Sequence, residues 1–202
     1  HNTDTTSRPI ILTDNVSDGG TVNVGTSAVI VDPAGFVLKD VKLSGTGSLT
    51  VSPGNVTSRT YKLEGNGAVL VFFRYKDNDV EICTAGNAVT NLTVNAANDN
   101  VWHSGSVKTL TVTKVKNDKP NDKGYHLWTT DSREGRLGGA IETVTVNAGY
   151  LDIGEYVNIT TLTIGASTGI SLKGRLTSKV TNLDSGTSPL RDAGTGTNVS
   201  AN

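Results

Sequence analysis

Ala88-Val-Thr-Asn-Leu-Thr-Val94 recurs along the chain as Ser106-Val-Lys-Thr-Leu-Thr-Val112, Ala140-Ile-Glu-Thr-Val-Thr-Val146 and Asn158-Ile-Thr-Thr-Leu-Thr-Ile164. A shorter echo, Lys179-Val-Thr-Asn-Leu183, sits near the end. Each copy reads as an apolar β-branched residue, two polar residues, then apolar–Thr–apolar. Leu92 and Val94 are two apart, so a strand turns both to one side and Thr93 to the other. Val89, three before Leu92, has the wrong parity for a flat strand. A corner or bulge at Thr90-Asn91 brings it inward, and Asn tolerates such turns. A helix would need apolar residues at i, i+3, i+4 and i+7, and the Val/Thr content with Gly and Asn punctuation opposes it.

The spacing carries more than any one strand. Leu92 to Leu110 is 18 residues, Val144 to Leu162 is 18, Leu162 to Leu183 is 21, and Leu110 to Val144 is 34, one unit plus an insertion. Repeats of this length mean stacked units that bury their apolar faces only against neighbours. At roughly 3.3 Å per residue such a unit is a closed coil about 60 Å around. The expected fold is all-β, a parallel β-solenoid (β-helix) with 18–21-residue coils. Short strands at this spacing also describe a β-sandwich, which stays as the alternative.

Working outward, a weaker period runs through Val22-x-Val24, Val41-x-Leu43, Tyr61-x-Leu63 and Val80-x-Ile82, at steps of 19, 20 and 19. Second apolar runs follow, such as Val29-Ile-Val31, Leu49-x-Val51, Leu151-x-Ile153 and Ile170-x-Leu172. That gives two strands per unit, joined by corners such as Ser44-Gly-Thr-Gly47 and Glu64-Gly-Asn-Gly67. The step of 12 from Val80 to Leu92 breaks the period and is a candidate junction. The expected organisation is an arm over 1–20, whose Ile10-Ile-Leu12 pairs with the first coil or a neighbouring chain. An irregular β module or first coils fill 21–87, and a regular solenoid fills 88–186. A surface insertion occupies 114–139 and a polar tail or cap 187–202.

Hydrophobic residues at 35% and aromatics at 5% suit a thin core. A net charge of -1 gives no footprint for nucleic acid or an anionic membrane surface. No apolar run approaches the ~18 residues of a membrane span. The single cysteine, Cys83, excludes an intramolecular disulfide and reads as a buried small apolar residue. No leader pattern is read at the N-terminus, and without methionine His1 is expected to be a processed or artificially set end. Five Asn-x-Ser/Thr sequences, two of them inside the repeat, are what an Asn- and Thr-rich chain yields by chance.

No nucleotide, metal or nucleophile motif is present, and no cofactor is expected. Gly45/Gly47 and Gly65/Gly67 lack the helix that a phosphate cradle needs. The histidines His1, His103 and His126 lack ligand spacing, and Asp77-Asn-Asp79 lacks the glycine and distal glutamate of a calcium loop. Acid pairs able to cut a polysaccharide would come from Asp131 with Glu134, Asp152 with Glu155, or the alternating Asp77, Asp79 and Glu81. The plain reading of each pair is a solvated edge. The aromatic residues are the stronger lead: Trp102-His103 and Tyr125-His126-Leu127-Trp128 place flat rings beside polar donors, a combination suited to sugars. Their plain reading is that Trp102 covers a solenoid edge and Trp128 anchors the insertion.

The Val-x-x-Leu-Thr-Val strand with Gly and Asn corners, over Ala88 to Gly186, resembles the parallel β-helices of bacteriophage tailspikes and tail fibres. It also resembles the passenger segments of bacterial autotransporter adhesins, whose repeats are more regular. The resemblance implies an extracellular or virion location (for an adhesin, the bacterial cell surface), recognition of a surface glycan, and for the phage proteins a homotrimer. It maps no catalytic residue onto this chain. The expected function is a structural and receptor- or glycan-binding module of such an appendage. A β-helix polysaccharide hydrolase or lyase, and an adhesin stalk with no ligand site of its own, are the alternatives.

Overall fold

The computed structural model describes residues 9–16, 21–55, 59–64, 69–76, 79–117, 124–128, 140–153, 158–172, 175–182, 190–191 and 198–199. They form a β-solenoid of about five turns with stacked parallel coils and no helix beyond a single 3-10 turn at Pro53–Asn55. Fifteen strands are described: β1 (Ile10–Ile11), β2 (Thr21–Gly25), β3 (Ala28–Asp32), β4 (Leu38–Gly45), β5 (Ser48–Val51), β6 (Arg59–Glu64), β7 (Val69–Lys76), β8 (Asp79–Ala96), β9 (Asn100–Lys114), β10 (Tyr125–Trp128), β11 (Ala140–Ile153), β12 (Asn158–Leu172), β13 (Arg175–Asn182), β14 (Leu190–Arg191) and β15 (Asn198–Val199). All but β14 and β15, which pair with each other, belong to one 13-stranded sheet.

Each long strand bends at a corner and serves two faces. The recurring Leu-Thr-Val segments make the front face, where Leu92 pairs with Leu110, Leu110 with Val144 and Val144 with Leu162. The back face stacks Val80 on Val101, Val101 on Tyr125 and Tyr125 on Leu151. Alternation buries every second side chain, so Leu92, Val94, Leu110, Val112, Val144, Val146, Leu162 and Ile164 line the interior. Thr93, Thr111, Thr145 and Thr163 stand outside, half-buried against their neighbours. Val89 pairs with Val107. In the coils that follow, Val107, Ile141 and Ile159 are buried together with Leu110, Val144 and Leu162 three residues on. The register shift between Thr84 and Val89 lies before this step. The core is thus a set of columns one residue wide. Leu110→Val removes one methylene from such a column and is expected to cost about 1 kcal/mol. Thr109→Val, on the outer side, is expected to change stability by less than about 0.5 kcal/mol, both read by urea unfolding.

Three features depart from a uniform winding. First, β6 and β7 run antiparallel to both neighbours: β6 lies between β5 and β8, and β7 between β4 and β8. One coil is wound backwards between parallel pairs β2–β4 and β3–β5 on one side and β8–β9 on the other. Tyr61 therefore faces Val51 and Val94 on the front face, out of line with Val80. Second, Val80 and Leu92 lie on the two faces of the same strand, β8, so their spacing of 12 is the width of a coil. Third, Tyr125–Trp128 belongs to the solenoid wall, pairing with Val101–Ser104 and with Leu151–Ile153. Lys114 to Gly139 is therefore no single surface insertion. Tyr125 and Leu127 alternate inward and are buried, which is why this segment stays with the core.

The arm pairs with the first coil, as Ile10 and Ile11 face Val31 and Asp32, while Leu12 and Val16 pack on the core. Polar side chains pin the coil ends. The Tyr61 hydroxyl donates to Asp99 Oδ2 at 2.7 Å, and Arg59 lies 2.7 Å from Asp99 Oδ1. Burial pushes the Asp99 carboxyl up, against these two contacts, which pull it down.

Candidate functional site

Stacking in register turns residues far apart in sequence into a row. On the outer side of the back face, Glu81 pairs with Trp102, Trp102 with His126, His126 with Asp152 and Asp152 with Ser171. The indole of Trp102 and the imidazole of His126 are stacked, with centroids 3.9 Å apart and planes inclined by 16°. Strand spacing of about 4.8 Å makes such a ring-on-ring ladder natural.

His126 is held at both nitrogens. Nε2 lies 2.8 Å from Asn100 Oδ1, and Nδ1 lies 3.2 Å from Asp152 Oδ2. The Asn100 amide is oriented by its other contacts: Oδ1 also accepts from the Gly124 N–H at 3.0 Å, and Nδ2 donates to Asp79 Oδ1 at 3.3 Å. Three coils thereby converge on one ring, and His126 is only 2% exposed although it points away from the core columns. Beyond Trp102 on β9, the Ser104 hydroxyl is buried without a hydrogen-bond partner among the described residues.

His103 and Tyr125 take the opposite direction. They point inward, where His103 sits in the column Ile82–His103–Leu127–Ile153 and Tyr125 on Val101. Both are buried and joined by a hydrogen bond of 2.9 Å between the Tyr125 hydroxyl and His103 Nδ1, so they serve the core. Trp128 pairs with Ser104 through its backbone, and its side chain lies outside the described residues. Asp77, Asp131, Glu134 and Glu155 also lie outside them, as does the side chain of Cys83.

Of the cleavage candidates the structure therefore describes Asp79, Glu81 and Asp152. Glu81 and Asp152 are three strands apart on the row, about 14 Å, too wide for an acid pair. Asp152 is committed to His126 and Asp79 to Asn100. No group of three or more His, Cys, Asp or Glu side chains among the described residues is arranged to hold a metal ion. One indole face of Trp102 is taken by His126, and on the other side its register partner is Glu81 on β8. The stack itself was hidden from sequence reading, because the two rings are 24 residues apart in coils of unequal length. No protein-family model matches this chain, and neither a curated protein nor a solved structure matches it.

Proposed function

We propose that this chain is a structural and receptor-binding module of a phage tail spike, tail fibre or similar surface appendage, its ligand a bacterial surface glycan. The observation that supports this reading is the outer row in which Trp102 and His126 stack across coils and are pinned by Asn100 and Asp152. An aromatic edge fixed among hydrogen-bonding groups, on a rigid β wall, meets sugar hydroxyls with little ordering cost. The solenoid supplies the shaft, and trimer packing would cover its open ends.

The test joins light scattering to a glycan array on the same purified chain. A trimer that binds bacterial surface sugars is expected. Trp102→Ala is expected to weaken binding at least about tenfold, the loss of a small hot spot. A monomer that binds no sugar overturns the proposal.

A further inference from the structure

The outer side of the front face carries a second, unrelated feature. Thr109-Leu-Thr111, Thr143-Val-Thr145 and Thr161-Leu-Thr163 lie on adjacent strands, with Asn91-Leu-Thr93 beside them. Thr93, Thr111, Thr145 and Thr163 pair in one line, and Asn91, Thr109, Thr143 and Thr161 in the next. No register shift falls inside these pairs; the bulges sit beyond them, after Val94 and after Val146. The seven threonines are half-buried, and none makes a side-chain hydrogen bond to a described residue. Along one border the coil before carries the Lys62–Glu64 ion pair, with Asn91 donating to Glu64. Inside the border the two lines hold no charge.

The result is a two-dimensional array of threonines in which strand geometry sets repeats of about 4.8 Å across the strands and about 6.6 Å along them. Threonine is stiff at χ1, and each hydroxyl both donates and accepts, so the lattice is set before any ligand arrives. The methyls between the hydroxyls restrict the orientations of the water they touch, and the hydroxyls can anchor it. Both repeats are near those of the oxygen lattice on the prism faces of hexagonal ice. A dissolved sugar chain finds no groove, ring or charge here. A periodic solid meets all the hydroxyls at once, and weak contacts then add as in any multivalent encounter.

We propose that this threonine lattice binds ice. The test is ice-crystal shaping and inhibition of ice recrystallisation by the whole chain, with serum albumin as the inert protein. Shaped crystals and arrested coarsening are expected. Thr111→Tyr and Thr145→Tyr, each placing a bulky ring in the middle of the lattice, are expected to lose both effects with unchanged melting curves. Thr26→Tyr, in the exposed turn between β2 and β3, makes the same change off the lattice and is expected to keep them. Absence of shaping by the unaltered chain overturns the proposal, as does full activity in both lattice variants. Adsorption to crystalline cellulose or chitin without any effect on ice also overturns it, and would give this face to a solid polysaccharide.

Discussion

Acid is expected to unfold this protein through one residue, His103. Burial pulls its imidazole down to about 3, from an ordinary value of 6.5. The neutral ring is fully partnered. Thr84 Oγ1 lies 3.2 Å from His103 Nε2 and within reach of the Ser104 and Ser106 carbonyls, so its own proton goes to a carbonyl and its oxygen accepts from Nε2–H. Nδ1 then accepts from the Tyr125 hydroxyl, which burial keeps protonated. A second proton on the ring would displace the Tyr125 bond and put a charge into an apolar column. Between pH 6.5 and about 3 the unfolded chain binds a proton that the native chain refuses, so native stability falls as the pH falls. The contribution is intact above 6.5 and shrinks by about 1.4 kcal/mol per pH unit below it, roughly 3 kcal/mol by pH 4. Asp99 works in the other direction, since its raised carboxyl gains a proton more readily in the folded state. Subtraction separates the two. Urea unfolding from pH 8 to pH 4 is expected to show a steep loss in the parent and a flattened one in His103→Gln, whose amide can replace both hydrogen bonds. Equal slopes in the two proteins would remove His103 from the acid response.

The front face was legible because its grammar repeats with little decay. Leu-Thr-Val at 18-residue steps states both the inward pair and the coil length. The reversed coil was not legible, and the reason is physical. Alternation of period two is the same read in either direction, so Tyr61-x-Leu63 looks like one more forward copy although β6 runs backwards. Tyr125–Trp128 failed for another reason. Its inward pair, Tyr125 and Leu127, obeys the alternation, but the charged, turn-forming residues before it drew the segment into the insertion. The aromatic and histidine residues of the two clusters divide between the two sides of the wall: Trp102 and His126 share the outer row, while His103 and Tyr125 go inside. Neighbours in one strand necessarily face opposite ways, so the adjacent pair Trp102-His103 was never able to act from one surface. What no single strand reveals is the partner across coils. The steps on the back face run from 19 residues, Leu151 to Ile170, to 26, Tyr125 to Leu151, so the row forms only once the loops have been placed.

Gly105→Ala is expected to cost about 4 kcal/mol, from strain in the turn and overpacking against the coil beneath. Gly105 makes the corner by which β9 passes from the back face to the front, at φ +98, a conformation that L side chains rarely adopt. A methyl there would lie 1.9 Å from the Thr84 carbonyl oxygen and 2.7 Å from Thr84 Oγ1. Thr84 is its register partner on β8, so neither strand can retreat without opening the ladder on both sides. The displaced hydroxyl is also the one that partners His103, so the substitution reaches from the corner into the core column. Gly35→Ala supplies the comparison. It has φ +85 but nothing within 4 Å of the added methyl, so it carries the backbone strain alone, about 1–2 kcal/mol. The difference between the two variants in urea unfolding therefore measures the close approach of coil on coil. If Gly105→Ala is no worse than Gly35→Ala, the corners are not in contact and the tight stacking of β8 on β9 is wrong. If it is several kcal/mol worse and also blunts the acid response of His103, corner and column are one mechanical unit.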